Sequence, residues 1–159
     1  MAIDLSPTTQ DALSLIVQNY NQGLDPALHL DDTDFVFNAP MVNPDVAYAR
    51  NTRLYAKPTA TSGKYGRVTI YYNRIDLTAI GAKPIVTRGA ATMMADIVPL
   101  LNDYYGINLV AADYDNVALP AQGGGLTQAI LTAKVDSLMF IGTLDFDLEA
   151  GATPAIRAA

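Results

Sequence analysis

The chain has 159 residues, half of them hydrophobic, with 16% charged residues and a formal net charge of −6. That length suits one domain or two very small ones sharing a core. The acidic balance argues against sequence-independent DNA binding, which needs clustered Lys and Arg. There is no cysteine, so disulfides and thiolate metal sites are excluded. No apolar run approaches the roughly 18 residues of a spanning helix. Met1 to Ser6 lacks the basic and apolar regions of a secretory signal. Glu149 is the only glutamate among 16 acidic residues. Aspartate favours caps and turns over helix interiors, while nine Tyr and abundant Val, Ile and Thr favour strands.

In chain order, Leu13, Ile16, Val17 and Tyr20 fall at the spacing of one helix face. Ser6-Pro7 ahead of them reads as an N-cap followed by proline at the first helical position. A similar spacing returns at Ile97, Leu100, Leu101 and Tyr104, with Gly106 as the C-cap. Pro99 would kink this second helix unless it lies in the first turn. Further segments recur in the same order. Leu30 to Phe35 parallels Leu109 to Tyr114, Leu54 to Lys57 parallels Leu131 to Lys134, and Tyr65 to Ile70 parallels Ile141 to Phe146. The offset shrinks from 84 (Leu13 to Ile97) to 76 (Tyr65 to Ile141), as loop insertions cause.

Each repeat therefore reads helix, short strand, loop, strand, turn, strand. In the last strand of the first repeat, Val68, Ile70 and Tyr72 share one face and Arg67, Thr69 and Tyr71 the other. In the second, Leu144, Phe146 and Leu148 oppose Thr143, Asp145 and Asp147. The expected fold is α+β: two related modules, each one helix packed on a small, mainly antiparallel sheet. The expected division is 1–80 and 81–159, or one compact pseudo-symmetric domain.

The search for chemistry points away from catalysis. His29 is the only histidine, it lies between two leucines, and no serine sits in a nucleophile-elbow pattern. Gly123-Gly124-Gly125 lacks the following Lys and hydroxyl of a phosphate loop. Asp31-Asp32-Thr33-Asp34 and Asp113-Tyr114-Asp115-Asn116 offer oxygen ligands for a hard cation but lack the spacing of a calcium loop. Turn chemistry just before a strand, where Asp satisfies exposed backbone N–H groups, is the favoured explanation. Neither a catalytic residue nor a metal or cofactor site is expected. Charge is the functional asymmetry. Arg50, Arg53, Lys57, Lys64, Arg67 and Arg74 are six of the ten basic residues, and all fall in the first β segment. The corresponding hairpin of the second repeat carries Asp145 and Asp147. These are two solvated faces with drifted charges or complementary contact surfaces. The candidate contact residues are Arg67, Tyr71, Arg74, Asp145 and Asp147.

The stretch from Leu54-Tyr55-Ala56-Lys57-Pro58 through Ser62-Gly63-Lys64-Tyr65-Gly66-Arg67 to Tyr71-Tyr72-Asn73-Arg74-Ile75-Asp76-Leu77 resembles a domain of virion structural proteins of large tailed bacteriophages. Tyr104-Tyr105-Gly106-Ile107-Asn108-Leu109 after the second helix is similar in kind. The resemblance implies a non-enzymatic particle component, in a virion assembled in the host cytoplasm. It would act through contacts with other virion proteins or with copies of itself, as a capsid decoration or in the head, neck or tail. It implies no nucleic acid and no membrane as partner. The alternative is a calcium-assisted carbohydrate or small-ligand binding module, with Tyr71, Tyr72, Tyr104 and Tyr105 stacking on sugars.

Overall fold

The computed structural model describes residues 11–31 and 33–159; the expected Ser6-Pro7 helix start and Asp32 lie outside them. The fold is α+β, with two helices, several mostly antiparallel sheets, and more strand than helix. The chain forms two compact units, Met1–Arg74 and Ile75–Ala159.

In the first unit, helix α1 (Ala12–Asn21) begins where the Asp11 carboxylate accepts the N–H groups of Leu13 and Ser14, which a helix start leaves without partners. It buries Ile16 and Val17. Strands β1 (Phe35–Phe37), β2 (Met41–Val42), β3 (Thr52–Pro58) and β4 (Val68–Tyr72) form an antiparallel sheet. β3 is central, with β4 along one edge and both short strands along the other. Successive side chains of β3 alternate between its two faces, so Thr52, Leu54 and Ala56 are buried together with Ile70 and Tyr72.

The second unit contains β5 (Ile75–Asp76), β6 (Pro84–Thr87), helix α2 (Met94–Tyr105), β7 (Thr127–Thr132), β8 (Phe140–Ile141), β9 (Thr143–Glu149) and β10 (Ala155–Ala158). The main sheet has the order β10-β6-β9-β7, and only the β6–β9 pairing in it is parallel. β5 and β8 form a separate parallel ribbon. Met94, Ile97, Val98 and Leu101 of α2 pack in one core with Val86, Leu131, Leu144, Phe146 and Leu148.

The buried stripe of α2 differs from the expected one. Val98 takes the place of Leu100, which is half-buried, and Tyr104 is exposed. The helix starts early because the Asp96 carboxylate accepts the N–H groups of Thr92 and Met93 at 2.9 Å each, so the apolar stripe already begins at Met94. Pro99 lies inside the helix rather than in its first turn. It is exposed, which places the missing backbone hydrogen bond on the solvent side. Gly106 ends the helix in the left-handed conformation, φ 66°, as glycine does most readily.

Several hydrogen bonds recur in both units. The Asn21 amide clasps the backbone of Leu30, taking its N–H and donating to its carbonyl, both at 2.8 Å. Asn102 clasps Leu109 in the same way at 2.9 and 3.0 Å. Thr59 N–H bonds the Asp34 carbonyl, and Lys134 N–H bonds the Asp113 carbonyl, each at 2.8 Å. The Ser62 and Ser137 hydroxyls accept the N–H groups of Lys64 and Met139. Gly66 and Gly142 stand at φ 90° and 81° just before β4 and β9. A Cβ at Gly142 would lie 2.6 Å from both Asp76 Oδ1 and Thr78 Oγ1.

Each clasp satisfies two backbone groups that would otherwise be stranded. Asn102→Ala and Asn21→Ala are each expected to cost about 1–3 kcal/mol, read as a lower urea midpoint with an unchanged denaturant slope. Asp11, Asp96 and Glu149 hold their carboxyls below the usual range. The causes are the Ser14 hydroxyl for Asp11, the backbone N–H groups of Met93 and Thr92 for Asp96, and the Thr87 hydroxyl and Arg157 for Glu149. A carboxyl depressed by folding stabilises the fold above its unfolded value, about 4, and that contribution disappears as pH falls through the folded value. Stability in an acid titration is therefore expected to decline below about pH 4, with a smaller decline in Asp96→Asn.

Candidate interaction surface

The alternation that buries one face of the first unit's sheet assembles a contact surface on the other. Arg53, Tyr55 and Lys57 project outward from β3. Across the register, Tyr71 stands opposite Arg53, and Thr69 opposite Tyr55. Met41 stands opposite Arg53 from β2, and Val36 opposite Lys57 from β1. The Arg67 guanidinium sits 4.2 Å from the Tyr55 ring centroid and that of Arg53 5.5 Å, both within cation–π range. Tyr48, from the turn preceding β3, stacks on Tyr71 with centroids 4.0 Å apart and planes 7° from parallel. Loss of solvation, and then the neighbouring Tyr48 and Asp45, raise the Tyr71 phenol. Val36 is 62% exposed and Tyr48 52%. Arg53 Nε is buried without a hydrogen-bond partner.

The sequence-based residues divide as follows. Arg67 and Tyr71 lie together on this face. Arg74 does not: it is 5% exposed, and its Nε donates to Thr52 Oγ1 at 2.9 Å. Its backbone N–H and carbonyl bond the Asn51 side chain. The correction has a simple cause. Residue 74 has the parity of Ile70 and Tyr72, the buried face of β4, not that of Arg67 and Tyr71. Burial lowers the Arg74 guanidinium's affinity for its proton and raises that of the adjacent Tyr72 phenol. In the second unit, Asp145 is exposed and accepts from Gln128 at 3.3 Å, while Asp147 pairs with Lys83 at 2.7 Å. Tyr48 and Tyr55 were not among the contact residues expected from the sequence, and Arg53 was named only as one of the basic cluster. The parity of Arg53, Tyr55 and Lys57 was the available signal; nothing local marked Tyr48.

The remaining candidates are engaged locally. Asp31 Oδ1 accepts from the Thr33 N–H and hydroxyl at 2.8 and 2.7 Å. Buried Asp113 accepts from the Ser137 hydroxyl at 2.7 Å and from Val110 N–H. Among the described residues, no three His or acidic groups converge as a cation site would require. His29 Nε2 lies 3.2 Å from the Leu24 carbonyl. The Gln122 amide donates to the Gly125 carbonyl at 2.7 Å, closing the glycine loop.

Two substitutions separate buried groups with and without partners. The Tyr72 hydroxyl is buried with no hydrogen-bond partner. Tyr72→Phe is therefore expected to leave stability unchanged or raise it by up to about 1–3 kcal/mol. Arg74→Ala is expected to cost about 1.5–3 kcal/mol by removing a buried charged donor from Thr52 Oγ1, which keeps only its bond to Asn51. Chemical denaturation of both variants checks the opposite signs.

No curated protein and no solved structure matches the chain. One family model matches residues 3–153, nearly the whole chain and both units. The chain belongs to that family of unknown function, DUF7941.

Proposed function

We propose that the chain is a non-enzymatic structural component of a bacteriophage virion, acting through protein–protein contacts as a capsid decoration or as part of the head, neck or tail. The observation that carries the contact role is the outer face of β3–β4. On it Tyr48, Tyr55 and Tyr71 are pre-ordered by stacking and by Arg53 and Arg67. Tyr and Arg are the residues enriched at protein interfaces, and rings already held in place lose little freedom on association. The virion assignment rests on the resemblance carried by the segment from Leu54 to Leu77.

The same reading treats the two units as copies of one helix-and-sheet module. The matched Asn clasps, the equivalent Asp34 and Asp113 carbonyl bonds and the two positive-φ glycines support it. So do the ladders. Thr52 opposite Tyr72 opens the β3–β4 ladder as Thr127 opposite Leu148 opens that of β7–β9, and in both the inward positions alternate in step. On this alignment Asn21 corresponds to Asn102, an offset of 81 rather than the 84 of the helix spacing. A duplicated module offers two similar surfaces to a symmetric lattice.

Mass spectrometry of gradient-purified particles of the encoding virus is the test. The chain is expected in fixed stoichiometry with the other particle proteins, and its absence from purified particles would overturn the assignment.

A further inference from the structure

We infer that the outer face of β3–β4 in one copy of the chain docks on the outer face of β7–β9 in another, joining copies head to tail. The inference rests on the reading of the chain as an assembly component. The first face carries Arg53, Lys57 and Arg67, and the strand residues around them are Met41, Val36, Thr69 and Tyr71. At matching ladder positions the second face carries no base. Gln128 opposite Asp147 stands where Arg53 opposite Tyr71 stands in the first, and Ile130 opposite Asp145 where Tyr55 opposes Thr69.

Charge decides the occupant. Residues 75–159 hold nine acidic and four basic residues, so the unit that presents β7–β9 is the acidic part of the chain. A net charge of −6 disfavours an extended polyanion such as nucleic acid; two copies share that charge, so their contact draws on the local match of the basic face with Asp145, felt within a Debye length. Asp147 is already paired with Lys83, the two side chains 20% and 38% exposed; Asp145, exposed and accepting from the neutral Gln128 amide, is the carboxylate open to an incoming guanidinium. Apolar area matches as well. Ile130, 47% exposed, occupies an outward position of the register, and Leu126, 55% exposed, immediately precedes β7, against Val36 and the Tyr48–Tyr71 pair. Two flat sheet faces pack about 10 Å apart with their side chains interleaved. Because the two surfaces differ, the contact is heterologous and generates a ring or a filament.

The test is a charge exchange read as molar mass against concentration, by light scattering at low and high salt. Lys57→Glu/Arg67→Glu reverses the first face and Asp145→Lys the second; all three positions are exposed, and circular dichroism verifies that each variant is folded. Wild-type chain is expected to self-associate, less so in high salt. Each variant alone is expected to associate about tenfold more weakly, a difference of about 1.4 kcal/mol, and an equimolar mixture to recover assembly because each reversed face meets its complement. A wild type that stays monomeric overturns the inference, as does undiminished assembly of the Lys57→Glu/Arg67→Glu variant or a mixture that fails to recover. Binding of a labelled thymidine oligonucleotide that this variant abolishes would replace the second copy with nucleic acid. The particle proteomics described above is independent: a chain present in virions but indifferent to charge exchange retains the structural role and loses the head-to-tail contact.

Discussion

A β-strand residue faces one side of its sheet and its neighbour faces the other, and the organisation of both units descends from that constraint. Once Leu54, Ala56, Ile70 and Tyr72 turn inward, Arg53, Tyr55 and Tyr71 have only the solvent side to occupy. Once Leu131, Leu144, Phe146 and Leu148 turn inward, Asp145 and Asp147 are committed outward in the same way. The core and the contact surface are thus one decision. A register slip of a single residue would expose the apolar set and bury guanidinium and carboxylate groups. The ladders leave little room for one, since the buried side chains line a single face of each central pair.

What fixes the path of the chain between these ladders is a small set of engaged polar side chains. Asn21 and Asn102 each secure the segment that follows their helix. Asp113 and Ser137, both nearly fully buried, join two segments that lie far apart in sequence, and the Ser137 hydroxyl also receives the Phe140 N–H. Asn51, Thr52 and Arg74 do the same at the end of the first unit. Buried polar groups are tolerable only when satisfied, so these side chains serve the architecture rather than chemistry on a substrate.

The strand faces were legible in the sequence because a period of two is short and local. The outward placement of Arg67, Tyr71, Asp145 and Asp147 followed from it directly. The reading failed where that parity was set aside or the pairing was non-local. Arg74 shares the inward parity of Ile70 and Tyr72, so its charge suggested an exposure that its position does not allow. β6 pairs in parallel with β9 across about sixty residues of chain, and parallel pairing leaves no turn signature to read. β5, β8 and β10 are too short or too bland to stand out. The second helix was found, but its start was set by the Asp96 side chain reaching back to Thr92 and Met93. This shifted its buried stripe away from Tyr104.

The stacked Tyr48–Tyr71 pair has an optical consequence. The chain has no tryptophan, so its near-ultraviolet absorption and emission arise mainly from tyrosine. Two phenol rings stacked 4.0 Å apart with nearly parallel planes couple their electronic transitions, whereas solitary tyrosines absorb independently. The outer face of the first sheet thus carries its own chromophore. Anything that settles on that face and parts or tilts those two rings writes its arrival into the tyrosine dichroism of the unlabelled protein.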